Sequence, residues 1–134
     1  MLLLNIHHTA VAVEDLGVAL EQFREDYGVE PLYREVVESQ GVEEAMIPIG
    51  GSHVQLLQPL DGSTPVGRFL ERNGEGLHHI AFQVADIEAA LAHLAERGVR
   101  LVDTEPRIGG GGHRIAFAHP EAFAGTLVEL VEVT

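Results

Sequence analysis

His7-His8-Thr9-Ala10-Val11-Ala12-Val13-Glu14-Asp15-Leu16-Gly17-Val18-Ala19-Leu20 lies over His78-His79-Ile80-Ala81-Phe82-Gln83-Val84-Ala85-Asp86-Ile87-Glu88-Ala89-Ala90-Leu91 with seven of fourteen residues identical. The match resumes at Gly28-Val29 over Gly98-Val99, and again at Gly51-Ser52-His53-Val54-Gln55-Leu56 over Gly125-Thr126-Leu127-Val128-Glu129-Leu130. A period of about 70 residues in a chain of 134 means two copies of one unit. That is too few for a solenoid, whose repeats are short and stack in series. The copies must bury their apolar faces on each other or on a second subunit.

Each copy reads as a strand, a helix and then further strands. Leu16, Ala19, Leu20, Phe23 and Tyr27 recur at helical spacing, with Asp15 placed to cap the start and Gly28 to end the helix. Asp86, Ile87, Ala90, Leu91, Leu94 and Gly98 repeat the pattern. Strands are expected at 32–37, 43–49 and 53–57 in the first copy, and at 100–103, 114–118 and 126–133 in the second. The chain is therefore expected to be α+β, as two tandem βαβββ modules forming curved mixed or antiparallel sheets. Module one covers about 5–62 and module two about 76–134. Between them Thr64 to Gly74 reads as a short connector helix that starts near Pro65.

Composition narrows the chemistry. An apolar fraction of 46% and a charged fraction of 22% are ordinary globular values. The chain has no cysteine and no lysine, its eight basic residues are all Arg, and the formal net charge is −13. Thiolate and Schiff-base catalysis are excluded. An acidic surface is a poor match for nucleic acid, where affinity comes from cations neutralising phosphates. No apolar run approaches the length of a membrane span, and Met1-Leu2-Leu3-Leu4 is too short for a signal-peptide core. A cytoplasmic protein is expected.

Alternation along the strands selects the candidate site. Neighbouring side chains on a strand face opposite ways, so only one histidine of each His-His pair shares a face with the small residues Ala10, Ala12 and Ala81. Those histidines are His8 and His79. Val11, Val13, Ile80, Phe82 and Val84 suit packing under the helices. Gln55 between Val54 and Leu56, and Glu129 between Val128 and Leu130, are polar side chains on apolar strands, and an ionised carboxylate is costly to bury without a partner. His8, Gln55, His79 and Glu129, two from each module, make a four-ligand set for a divalent cation, with imidazole and oxygen donors. Set against this, a lone strand histidine is commonly a hydrogen-bonded core residue. Glu44 shares a face with Met46, and the ordinary fate of such a strand residue is solvation. Gly109 to Gly112 reads equally as a hairpin or as a loop that closes over a ligand.

With these residues in place, the sequence resembles the vicinal oxygen chelate (glyoxalase/bleomycin resistance/dioxygenase) superfamily and, within it, the methylmalonyl-CoA epimerase family. The resemblance runs from about residue 5 to residue 133. It is carried by the His8 to Val13, Val54 to Leu60, Gly76 to Phe82, Ile115 to Pro120 and Leu127 to Leu130 stretches, and more narrowly by Gln40-Gly41-Val42-Glu43-Glu44 and Glu105-Pro106-Arg107-Ile108-Gly109. The chain departs from the family pattern at His7, His113 and Ala122 to Ala124, which bears on coenzyme A contacts more than on the chemistry.

The resemblance implies metal ligation by His8, Gln55, His79 and Glu129, with Co2+ ahead of Mn2+, Zn2+, Ni2+ or Mg2+. It implies a homodimer acting on an acyl-CoA substrate. It further implies Glu44 and Glu129 as two catalytic carboxylates that interconvert (R)- and (S)-methylmalonyl-CoA by 1,1-proton transfer through a metal-stabilised enolate. A glyoxalase I-type lyase and a metal-free drug-binding resistance protein are the alternatives on the same scaffold. The second has no use for four metal-competent side chains.

Overall fold

The computed structural model describes residues 2–134, so Met1 of the opening apolar tetrapeptide lies outside the described residues. The elements run β1 (Leu3–Ala12), α1 (Leu16–Tyr27), β2 (Tyr33–Val37), β3 (Val42–Ile49), β4 (Ser52–Pro59), α2 (Pro65–Asn73), β5 (Gly76–Val84), α3 (Ile87–Glu96), β6 (Arg107–Ile108), β7 (Arg114–Ala118) and β8 (Leu127–Glu132). The expected α+β class is what the chain adopts. It divides into two compact units, residues 8–78 and residues 2–7 with 79–134, so the boundary falls inside β1 between the two histidines.

In the unit of residues 8–78, hydrogen bonding orders the strands β2-β3-β4-β1, antiparallel except for the parallel β4–β1 pair. Alternation divides their side chains between two clusters. Val13, Ala45, Ile47 and Leu56 pack under Leu16, Ala19, Leu20 and Phe23 of α1. Ala10, Ala12, Val42 and Leu57 take the other face, where Val66, Phe69 and Leu70 of α2 cover them. In the other unit the order is β5-β8-β7-β6, with a parallel β5–β8 pair. Val84, Ala116 and Leu130 pack with Ile87, Ala90 and Leu91 of α3, while Ala81, Ile115, Phe117 and Val131 share the opposite face.

The duplication extends to the helix caps. Asp15 accepts from the Val18 amide and Asp86 from the Ala89 amide, each at 3.0 Å. A second acceptor reaches each helix start from the last strand of its unit: Gln58 Oε1 takes the Leu16 amide at 2.7 Å and Glu132 Oε2 the Ile87 amide at 2.8 Å. These amides have no partner within the helix and would otherwise go unsatisfied at a buried end.

One expected strand is absent. Residues 100–103 make only an isolated bridge, Leu101 to Ala118. The Phe117 amide, which would donate to a neighbouring strand, donates instead to the Asp103 carboxylate at 2.9 Å, and the Val102 and Asp103 amides converge on the Phe117 carbonyl. A side chain has replaced a rung of the ladder. The edge partner of β7 is therefore β6, the short pairing of Arg107 with Ile115 and Ile108 with Arg114.

The connector helix forms where expected, with Thr64 capping the Gly67 amide at 3.1 Å and Pro65 in the first turn. Gly67 owes its place to packing. A Cβ there would lie 2.5 Å from the Asp61 carbonyl oxygen and 2.9 Å from two Gly62 backbone atoms. Gly67→Ala should therefore destabilise the protein by about 1–3 kcal/mol through overpacking, although alanine favours an isolated helix by up to about 1 kcal/mol over glycine. Urea unfolding that shows Gly67→Ala to be the more stable protein would refute this close approach.

Candidate active site

The polar side chains singled out on the strands are withdrawn from water. Relative exposure is 1% for Glu44, 3% for His8 and Glu129, 4% for His79 and 5% for Gln55. Glu44 is thus not the solvated strand residue that its neighbour Glu43 would lead one to expect.

Register explains which groups meet. Glu44 and Gln55 sit on adjacent antiparallel strands, one pleat apart, because Gln55 faces Met46 and Glu44 faces Leu57. The Gln55 carboxamide consequently reaches back to the carboxylate, and its Nε2 donates to Glu44 Oε2. Ala10 stands beside Gln55 on the parallel strand β1. His8, two residues earlier on that strand, points to the same side. In the other unit Glu129 lies opposite Ala81 on β5 and Phe117 on β7. His79, two residues before Ala81, brings its Nε2 to 3.2 Å from Glu129 Oε1. Phe117 sets its ring edge-on to the His79 imidazole, with 5.4 Å between centroids and 88° between planes.

The other histidine of each pair has an aromatic neighbour. His7 meets His113 edge-on at 5.5 Å, and His78 meets Phe69 at 4.9 Å.

The donor chemistry fits a cation. An ionised carboxylate only accepts hydrogen bonds, so Gln55 must turn its NH2 group to Glu44 and its carbonyl oxygen away. That oxygen is buried and has no hydrogen-bond partner among the described residues. A buried acceptor left in this way costs about 1–3 kcal/mol unless something electropositive meets it. Each unit offers donors of the kind a divalent ion takes, His8 and Gln55 in residues 8–78 and His79 and Glu129 in the other.

Two side chains that hold this arrangement escaped the sequence reading. Asp103 anchors the Phe117 backbone, and Phe117 packs on His79. A strand over residues 100–103 gives the Asp103 carboxylate no such role. Phe117 lies in the Ile115 to Pro120 stretch, but its place opposite Glu129 comes from a strand pairing that alternation alone does not give.

Comparison with known proteins bears on what such a site does. Residues 7–117 match the model of the Glyoxalase/Bleomycin resistance protein/Dioxygenase superfamily. The chain is 39% identical to the ethylmalonyl-CoA/methylmalonyl-CoA epimerase of Cereibacter sphaeroides, over 96% of this chain and 98% of that protein. Among solved structures it is similar to a Streptomyces coelicolor methylmalonyl-CoA epimerase variant in complex with 2-nitronate-propionyl-CoA, with 44% identity and a TM-score of 0.96, covering 98% of this chain and 96% of that one. The methylmalonyl-CoA epimerase of Mycobacterium tuberculosis is 36% identical with a TM-score of 0.96, covering 99% of this chain and 90% of that one.

The Glu44–Gln55 contact can be tested without any ligand. Gln55→Leu keeps the volume but removes the donor from a buried carboxylate, and should lower the unfolding free energy of the metal-free protein by about 1–3 kcal/mol. Unchanged urea unfolding would mean that the contact contributes nothing.

Proposed function

The chain belongs to the Glyoxalase/Bleomycin resistance protein/Dioxygenase superfamily, and on that footing we propose that it is a methylmalonyl-CoA epimerase. The observation that carries the reading is Glu44, a second carboxylate at 1% exposure, additional to Glu129 and held by Gln55. Inverting a carbon acid requires a proton to leave one face and return to the other, so two bases are needed where a simple binding protein needs none. The near full-length similarity to epimerases of methylmalonyl-CoA supports the substrate.

The ligand set is His8, Gln55, His79 and Glu129. A divalent ion bound there supplies a Lewis acid next to the oxygens on which negative charge develops. Co2+ leads the candidates, with Mn2+, Zn2+, Ni2+ and Mg2+ behind it. Glu44 removes the proton from the carbon between thioester and carboxylate on one face, and Glu129 serves the other face. The two exchange acid and base roles with direction, a contribution of about 10²- to 10⁴-fold. Burial of both carboxylates keeps bulk water from competing for the proton. Gln55, by donating to Glu44 Oε2, orients that carboxylate. Phe117 fixes the His79 ring from its edge. The working protein is a cytoplasmic homodimer.

Metal analysis combined with turnover in deuterium oxide tests the reading. The purified protein loaded with Co2+ should convert (S)- to (R)-methylmalonyl-CoA with solvent deuterium at the inverted carbon, and should lose both the metal and the activity to a chelator. Protein that binds the metal and leaves methylmalonyl-CoA unchanged would overturn the assignment. Glu44→Gln should retain metal stoichiometrically while turnover falls by about 10²- to 10⁴-fold. Deuterium entering one epimer alone would separate the two faces, whereas inversion at the parent rate would remove Glu44 from the mechanism. Light scattering should give twice the chain mass, and a monomer at micromolar concentration would refute the dimer.

A further inference from the structure

An acyl-CoA carrying a free carboxylate is strongly anionic, and the protein that would receive it carries a net charge of −13. Beside a divalent ion, a cationic side chain near the site would offset that repulsion. In the unit that holds His79 and Glu129 the cationic side chains other than histidine are Arg97, Arg100, Arg107 and Arg114. Arg97 follows α3 as its C-cap. Arg100 is exposed and paired with Glu121 at 2.7 Å. Arg114 is paired with Glu88 and Glu132, by α3.

Arg107 is placed differently. It pairs across the ladder with Ile115, whose side chain belongs to the face shared by Ala81, Phe117 and Val131. Glu129 lies on that same face, opposite Phe117. The Arg107 guanidinium stands over the Phe117 ring, 5.6 Å from its centroid, and that ring makes a T-shaped contact with the His79 imidazole. Asp103 accepts the Phe117 amide at 2.9 Å and forms an ion pair with Arg107, its carboxylate 3.4 Å from Nε. A guanidinium seated on an aromatic face beside a carboxylate is restrained, and its planar fork matches a carboxylate in a way that an ammonium does not.

Resting on the function proposed above, we infer that Arg107 is the residue that recognises the free carboxylate of the acyl group, and so selects dicarboxylic over neutral acyl thioesters. A carboxylate offers about four acceptor directions, so this contact is compatible with a cation on its other oxygen.

Arg107→Met keeps the aliphatic stem on Phe117 and removes the charge. It should raise KM about 10- to 100-fold, the order of one charge-assisted hydrogen bond at about 1.5–3 kcal/mol. The rise should be the same for methylmalonyl-CoA and for methylmalonyl-pantetheine, which has no phosphate, and the affinity for propionyl-CoA should not change. A rise confined to the CoA thioester, or a loss of propionyl-CoA binding, would mean that Arg107 reads phosphate and would overturn the inference. An unchanged KM would overturn it as well. If Arg107→Met does not fold, Arg107→Lys serves instead, with the charge kept and the fork lost; equal KM values for Arg107→Lys and parent on both substrates would refute bidentate recognition. Parent protein that fails to epimerise at all counts against the proposed function, whereas an active parent with an indifferent Arg107 variant counts against this inference alone.

Discussion

Two carboxylates buried in apolar sheet set the terms for everything around them. An ionised carboxylate removed from water costs several kcal/mol after relaxation, and it persists only where other groups replace its hydration. Glu44 and Glu129 are each met by a polar side chain from a neighbouring strand, a carboxamide in one unit and an imidazole in the other. Those partners reach the carboxylates only because strand register sets them on the same face, and register is held by the apolar clusters on either side of each sheet. The α1 and α3 clusters thus fix these contacts from the opposite faces, since a one-residue slip would turn Glu44, Gln55, His79 and Glu129 toward those two helices.

The two units meet the same constraint with different residues. Gln55 and Glu129 occupy equivalent strand positions, and Gln58 and Glu132, three residues further on, each cap the helix of their own unit. Equivalent positions thus carry an amide in one copy and an acid in the other, where strict duplication would repeat one of them. The Gln55 amide can then donate to Glu44, which a second carboxylate could not do without holding a proton. Divergence at this position is what lets a second buried carboxylate find a donor.

Much of this was legible in the sequence because it rests on short periodicities. The helical spacing from Leu16 to Tyr27, the Asp caps and the alternation around Gln55 and Glu129 are local signals, and the strands and helices follow them. What stayed hidden depends on pairings remote in sequence. Asp103 reads as the end of a strand until its carboxylate is seen taking the Phe117 amide, and nothing local announces that Arg107 will lie over Phe117. The helix-capping roles of Gln58 and Glu132 were within reach. Their equal offset from Gln55 and Glu129 repeats the register of the duplication, and a polar residue recurring there asked for a reason. The burial of Glu44 could not be foreseen from Glu43, because alternation separates neighbours on a strand.

The place where the chain divides has its own consequence. The repeat in sequence would let one cut the gene near the connector helix and expect two self-sufficient halves. The compact units do not follow that cut: residues 2–7 belong with 79–134, and Leu3 packs into the cluster of Val84, Ile87 and Leu130. The unit of residues 79–134 is thus closed by a strand that lies before residues 8–78 in the chain, so these contacts span the whole of the other unit in sequence. Contacts of such sequence separation slow folding. A circular permutant opened at the connector would let one unit assemble from contiguous chain, and would trade those distant contacts for nearer ones.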